Sequence, residues 1–344
     1  MNKRWYIENG NQGDVVLSTR IRLARNLEDT PFPARLDAAG RRKATERIRA
    51  ALESIMPDLR YIDMTKLPRL EAISLAERHL ISPEFAGGAE GSALLLREDE
   101  SVSVMLCEED HIRLQVLRPG LELQEAYDTA DKLDSALGRQ MKFAFDERLG
   151  YLTQCPTNLG TAMRASVMLH LPALTATGRV SRLAEGISKL GLTIRGAFGE
   201  GSEASGAVYQ LSNQITLGIA ESAAIENLQA ITLQIADQER RAAAELLRQP
   251  GPEDQVWRAL GVLRTARRLD SKEAAELLSR VRLGAVRNLL PVAVETVNEL
   301  MNNVQPATLS LQNAADDGAE GAASGQRDAR RADLVRKQLE QPKE

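Results

Sequence analysis

Along residues 36–56 (LDAAGRRKATERIRAALESIM) apolar side chains recur at three- and four-residue spacing, which predicts an amphipathic helix. Similar spacing predicts helices over Leu67–Leu80, Leu121–Leu137 and Arg179–Leu190, the second ended near Gly138 and the third followed by Gly191 at a C-terminal glycine position. A further helix is expected from about Gly160 to His170. Short β-type runs occur at Ala93–Leu96, Val102–Leu106 and Ile112–Leu117, and the acidic turn Glu98-Asp99-Glu100 makes a hairpin of the first two. Gly150–Gln154, Leu192–Ala197, Ala207–Leu211 and Gln214–Leu217 also read as strands, and Asp14–Arg25 starts strand-like before becoming dense in arginine. Turns join the strands as often as helices do, so the sheet should be mostly antiparallel. From Ser222 to about Val304 the pattern is helical only, in four or five segments. Pro306–Gln326, which contains DDGAEGAASG, reads as a flexible linker, and a basic helix should run from Arg327 to about Leu339. The expected fold class is α+β: a mostly antiparallel sheet flanked by helices over 14–242, followed by an all-α region over 243–344.

Composition narrows the function classes without choosing one. The 344 residues are 43% hydrophobic and 27% charged, with a net charge of -4, which gives no sign of a nucleic-acid or membrane partner. No apolar run approaches the roughly 18–20 residues of a membrane span. The polar stretch Met1–Gly10 lacks the apolar core of a signal peptide. Cys107 and Cys155 form no metal-type pair, so a reduced, cytoplasmic setting is expected.

No GxxxxGK[ST] phosphate loop is present. The GxGxxA string at Gly199–Ala204 leads into strand-like AVYQL rather than a helix, which excludes a dinucleotide fingerprint. The conspicuous residues are arginines. In Ser18-Thr19-Arg20-Ile21-Arg22, an extended chain puts Arg20 and Arg22 on one face. Arg113 follows Glu108-Glu109-Asp110-His111, Arg164 follows CPTNLGTAM, and Arg195 precedes Gly196 and Gly199. Singly, each reads as a solvated residue or a salt-bridge partner. Together, beside glycine turns and carboxylates, they suggest a polyphosphate cage, because guanidinium forks bind phosphate oxygens bidentately.

In order, STRIRLARN, CEEDHIR, CPTNLGTAMRAS and RGAFGE resemble the motifs of the phosphagen (guanidino) kinases over roughly residues 14–242. That resemblance implies the family's glutamine-synthetase-like catalytic fold, with ATP and Mg²⁺ as cofactors. It assigns Arg20, Arg22, Arg113, Arg164 and Arg195 to the nucleotide phosphates and His79, in ERHLIS, to the nucleotide. The flanking residues Ser18, Thr19, Ile21, Ala165, Ser166, Val167, Met168, Gly196, Ala197, Phe198, Gly199 and Glu200 join them as the expected ATP site. By the same resemblance Glu109 and Glu200 grip the substrate guanidinium, Cys155 is the active-site cysteine, and Glu108 organises Mg²⁺ through water with no direct protein ligand. A guanidinium is a poor nucleophile because its lone pairs are delocalised. Two carboxylates can orient one nitrogen and favour loss of its proton as the N–P bond forms. A Cys155 thiolate would add negative charge there, favoured by nearby arginines. Cys107 departs from the pattern, standing where small-substrate members usually carry asparagine.

Two further departures concern the substrate. Small-substrate members carry a helical N-terminal domain of roughly a hundred residues, a normal domain size. Here the first motif already begins at Ser18, so a site open to arginine on a protein chain is expected. The helical region after residue 242 resembles that of the bacterial protein arginine kinases, whose RDxxRA motif reads phosphoarginine. Arg327, Asp328, Arg331 and Ala332 fit it, with the two arginines on one helical face. The resemblance implies arginine-containing protein substrates, among them a heat-shock repressor. It also implies an activator protein, a counteracting phosphatase, a downstream Clp-type protease and a homodimer. A metabolic kinase acting on free arginine and a phosphoarginine-binding module without catalysis are the alternative readings.

Overall fold

The computed structural model describes residues 4–197, 205–317 and 324–340. The chain opens with β1 (Val16–Arg25), α1 (Ala38–Ile55), β2 (Leu59–Asp63) and α2 (Arg69–Glu77). It continues through β3 (Ala93–Arg97), β4 (Val102–Leu106), β5 (Ile112–Pro119) and α3 (Leu123–Gly138). The short pair β6 (Phe145–Asp146) and β7 (Gly150–Tyr151) leads to β8 (Met163–His170), α4 (Pro172–Ala176), α5 (Val180–Ser188), β9 (Leu192–Gly196) and β10 (Val208–Asn213). The rest is helical: α6 (Glu221–Leu246), α7 (Pro250–Thr265), α8 (Ser271–Val286), α9 (Val294–Asn303), α10 (Pro306–Asp317) and α11 (Ser324–Glu340). The main sheet has the order β2-β3-β4-β5-β1-β8-β10-β9, with every neighbouring pair antiparallel, as the strand pattern implied.

Period two sorts the sheet's side chains onto two buried faces. Ile21, Leu23, Ala165, Val167 and Leu169 enter the main core behind the sheet, where they meet Leu133 and Leu137 of α3 and Leu228 and Ile235 of α6. Arg25 points the same way, pairs with Asp134 at 2.8 Å and lies 3.5 Å over the Tyr151 ring. The front face is covered at one end by Trp5, Tyr6 and α2, and at the other by the helical region. α7, α8, α9 and α11 also share a core of their own around Leu260, Leu278, Val297 and Val335.

Three segments differ from the sequence expectation. Residues 163–170 form a strand, not a helix. β8 is paired on both sides and covered on both faces, so its sequence reads apolar without the alternation of a half-exposed strand. Gln214–Leu217 is a turn, with Ile215 and Leu217 exposed and the Thr216 hydroxyl bound to Thr157 O and Leu159 O. The first part of the expected linker is α10. Its N-terminal amides at Ala307 and Thr308 donate to the Glu77 carboxylate at 2.8 Å, while Ala307 and Leu309 are buried. A helix this poor in apolar residues forms because another helix caps and covers it. The division at 242 lies inside α6, which is continuous from 221 to 246.

The helical region is joined to the sheet through Arg282, which is fully buried on α8. Its guanidinium donates to Gly13 O (2.6 Å), Asp14 O (3.1 Å), Asn298 Oδ1 (2.8 Å) and His170 Nδ1 (3.2 Å), and His170 Nε2 lies 2.8 Å from Ser279 Oγ. One side chain thereby ties α8 and α9 to the start of β1 and the end of β8.

Candidate functional site

Register puts the predicted arginines together. On adjacent strands Ser18 faces Met168, Arg20 faces Ser166 and Arg22 faces Arg164, while Ala24 faces Arg113 on β5. Residues two apart share a face, so Arg20, Arg22, Arg113, Arg164, Ser166 and Met168 all present to the front. Gln210, opposite both Met168 and Arg195, extends this face across β10 to β9. Thr19, Ile21, Ala165 and Val167 occupy the alternate positions. Ile21, Ala165 and Val167 belong to the rear core, and the Thr19 hydroxyl donates to Gly120 O at 2.8 Å. These four expected ATP-site residues therefore offer a front-side ligand no side chain, apart from the edge of Val167 at the cleft floor.

Arg20 donates to Gln210 Oε1 at 2.7 Å and to Ser166 Oγ at 3.4 Å. Both partners are neutral. Burial, reinforced by Arg113 and Arg164, lowers the Arg20 pKa to about 10. Arg22 is pushed well below its ordinary value by burial and by Arg20, Arg113 and Arg164, and its Nε is buried without a hydrogen-bond partner. Arginine stays protonated in proteins, so the site concentrates positive charge, which the Glu108 carboxylate on Arg113 offsets in part. An anion with several oxygens relieves it.

The acidic loop hangs beside this cluster. Glu108 accepts from Arg113 Nη1 at 2.6 Å and from Ser82 Oγ at 2.6 Å. Burial raises its pKa, but Arg113 and these hydrogen bonds outweigh burial and hold it below the usual range. Glu109 lacks such support: burial, then Asp110, raises its pKa against the pull of Arg113. Asp110 accepts from Asn26 Nδ2 (2.6 Å) and from the Gln154 amide (2.8 Å). Asn26, buried at the end of β1, also accepts the His111 amide at 2.9 Å. The Asn26–Asp110 pair thus fixes the glutamates against the loop that carries Cys155.

Cys155 is partly exposed and lies 3.1 Å from the Thr157 hydroxyl. Its loop is pinned by Gly160, whose φ of +99° and close approach to Thr216 O leave no room for a side chain. Cys107 has a φ of +54° and accepts from Thr45 at 3.5 Å. Asparagine, which that position usually carries in the resembled family, tolerates this left-handed backbone better than cysteine does. Gly196 ends β9 and Ala197 lines a cavity with Ser18, His79 and Met168. Phe198, Gly199 and Glu200 lie outside the described residues.

His79, at φ +59°, follows α2 and lines that cavity and a smaller one containing Arg20. Burial, with Arg20 nearby, lowers its pKa to about 3, so it is neutral. His111 is lowered to about 4 and His170 well below 6.5, chiefly by burial. These are the chain's three histidines. The unfolded chain takes up protons near pH 6.5 that the native state refuses. Stability present above about pH 6.5 should therefore be lost progressively as pH falls toward 4. Urea midpoints at a series of pH values check this, and an unchanged midpoint between pH 7 and pH 5 would refute it.

The predicted RDxxRA residues lie on α11, and Arg331 and Ala332 are buried there. Arg331 donates to Val304 O (2.9 Å), Leu269 O (2.7 Å) and Asp328 Oδ1 (2.9 Å), and Ala332 sits in the helical core. Arg327 is partly exposed. Sequence reasoning missed Gln210, Asn26 and Ser82. Asn26 stands inside a motif that had been singled out, but its partner is 84 residues away and no local pattern reveals it. Among the described residues no helix is long and apolar enough to cross a membrane.

Residues 43–242 match the family model described as ATP:guanido phosphotransferase, C-terminal catalytic domain. Residues 252–344 match the one described as Protein-arginine kinase McsB C-terminal domain. The chain is 44% identical over 339 residues to a protein-arginine kinase of Halothermothrix orenii, covering 97% of this chain and 96% of that one. It is 45% identical over 342 residues to one of Brevibacillus brevis, covering 97% and 94%. Among solved structures, the duplicated taurocyamine kinase from Schistosoma mansoni with bound transition state analog components is similar at a TM-score of 0.60 and 26% identity, covering 74% of this chain and 39% of that one. Lombricine kinase shares the fold at a TM-score of 0.61 and 24% identity, with 69% of each chain covered.

Proposed function

The chain belongs to the ATP:guanido phosphotransferases, and within them to the protein-arginine kinases, and we propose how its own residues carry out that reaction. The enzyme is a kinase that phosphorylates arginine side chains of proteins, with ATP as donor. The observation that carries the proposal is the register that brings the half-buried Arg20, Arg22, Arg113 and Arg164 onto one face of β1, β5 and β8. Arg20, Arg22, Arg113, Arg164 and Arg195 hold the triphosphate, and Ser166 and Gln210 steer Arg20. Preorganised guanidiniums meet the charge that develops on the transferring phosphoryl group without reorganising.

Glu109 and Glu200 orient the substrate guanidinium and take its proton as nitrogen attacks phosphorus. Cys155, whose loop is held to the Glu108-Glu109-Asp110 segment by Asp110, completes that side. Among the described residues no group of three or more His, Cys, Asp or Glu could hold a metal ion. With Mg²⁺ bound alongside ATP, Glu108 would be the residue to hold it through water, and the ion would supply charge neutralisation of the phosphates.

Mass spectrometry of an arginine-rich unfolded protein, incubated with the enzyme and Mg·ATP and kept from acid, tests the reading. Phosphorylated arginines are expected. Phosphate on free arginine alone would replace the reading with a metabolic one.

The RDxxRA segment is proposed to read phosphoarginine, with two unequal arginines. Arg331 also braces the end of α9 and the turn before α8, so Arg331→Ala should cost about 3 kcal/mol of stability as well as phosphoarginine affinity. Arg327→Ala should weaken phosphoarginine binding at unchanged stability. Calorimetric titration with phosphoarginine and urea unfolding separate the two, and intact binding in Arg327→Ala would remove the site. By resemblance to the bacterial kinases, the cytoplasmic mark is proposed to direct proteins to a Clp-type protease and to inactivate a heat-shock repressor. An activator, an opposing phosphatase and a homodimer complete that proposal.

A further inference from the structure

Large apolar side chains that stand singly in water are ordinary, but a concentration of them beside a reactive loop is not. Leu149, Leu190, Ile215 and Leu217 are 43%, 50%, 52% and 48% exposed. They come from three separate parts of the chain, and these parts meet around the loop that carries Cys155. Leu149 O accepts the Gly160 amide at 2.8 Å, and a side chain at Gly160 would collide with Leu217 Cα. Ile215 lies against Gly191, the neighbour of Leu190, and the Gln214 amide donates to Gly191 O at 2.9 Å.

The fold does not call for these side chains. Polar groups hold the 214–217 turn: Thr216 Oγ1 donates to Thr157 O (3.0 Å) and Leu159 O (2.7 Å), Thr216 O accepts the Thr161 amide (3.0 Å), and Asn213 Nδ2 donates to Ile215 O (3.0 Å). Thr216 thus points into the Cys155 loop, and its neighbours Ile215 and Leu217 are left exposed on a fixed backbone. Polar residues would close the turn equally well, so what the apolar ones add is a surface. An enzyme that phosphorylates arginine within proteins must pass the polypeptide on either side of that arginine over the surface next to its reactive groups. A folded protein keeps its leucines and phenylalanines inside, and only an unfolded chain offers them beside an arginine.

We propose that Leu149, Ile215 and Leu217, with Leu190 at the edge, form an apolar platform that holds apolar residues of an unfolded protein substrate while its arginine enters beside Cys155. This role depends on Cys155 standing at the substrate guanidinium, as proposed above. Contact on the platform is made equally before and during phosphoryl transfer, so it contributes to KM and not to kcat. The enzyme thereby favours arginines in exposed apolar sequence, a mark of lost tertiary structure, without reading any one neighbouring residue.

Two short peptides are compared as substrates of the full-length enzyme with Mg·ATP, one with its arginine among glycine and serine, the other with it among leucine and phenylalanine. The wild type should show the lower KM on the apolar peptide. The double variant Ile215→Gln/Leu217→Gln should raise that KM about tenfold, keep kcat, and leave the glycine–serine peptide within about twofold. Equal KM values for the two peptides in the wild type, or an unchanged KM in the variant, overturn the proposal. If the variant instead loses kcat on both peptides, the Cys155 loop has moved, and Leu149→Gln, on the β6–β7 hairpin, decides by the same KM criterion. A changed oligomeric state in analytical ultracentrifugation with KM intact makes this face a contact between copies and also overturns the proposal. Cys155→Ala separates the two readings. Retained kcat removes Cys155 from the guanidinium and the platform with it, whereas lost kcat beside unchanged KM values in the platform variants sinks the platform alone.

Discussion

Replacing Glu109 by glutamine is expected to lower kcat by about 10²–10⁴-fold while ADP affinity stays near the wild-type value. The substitution preserves shape and removes the charge proposed to align the substrate guanidinium and accept its proton. The proposed nucleotide cage is built from strand residues of β1, β5 and β8, whereas Glu109 lies in the loop between β4 and β5. Glu108 cannot substitute, because its carboxylate is already held by Arg113 and Ser82. Burial and Asp110 raise the Glu109 pKa, so the wild-type rate should fall with decreasing pH at a higher pH than an ordinary glutamate would give. Steady-state kinetics on a protein substrate with ADP titration decides the matter. A variant within about tenfold of wild-type kcat would end the assignment of Glu109 to proton transfer.

The second large effect is structural. Arg282→Met should cost about 3–5 kcal/mol, because it strips partners from two main-chain carbonyls, from Asn298 and from His170 inside a dry interface. Methionine fills much of the space, so lost pairing rather than a cavity dominates. Urea unfolding in a Trp5→Phe background, where fluorescence reports Trp257 of the helical region alone, with circular dichroism for the whole chain, measures it. If the structure is right, the midpoint falls and the two transitions separate, since the clamp no longer joins the helices to the sheet. A loss below about 1 kcal/mol with coincident transitions would show that other contacts hold the two parts together.

Much of the site was legible because its geometry is local. Arg20 and Arg22 share a face by strand periodicity alone, and the motif strings singled out Arg113, Arg164 and Cys155 without any fold. Arg164 was singled out even though its segment was expected to be a helix, because motif identity does not depend on secondary structure. The same strings could not separate lining from core. Thr19, Ile21, Ala165 and Val167 stand between functional residues, and alternation turns them to the back of the sheet.

The sequence by itself determined an antiparallel α+β catalytic segment, a helical region after it, and the residue types for guanidino phosphoryl transfer. Those follow from periodicity and from short motifs, where the causes lie within a few residues. Only the tertiary structure decided what depends on partners far along the chain. α10 is a helix because Glu77, 230 residues before Ala307, caps it. Arg331 is a buried brace because α9 and the turn before α8 end against it. Trp5 meets His79 and α9 around one cavity because folding brings residues from both ends of the chain together. Burial and hydrogen-bond satisfaction are properties of the whole packed chain, and no local pattern encodes them.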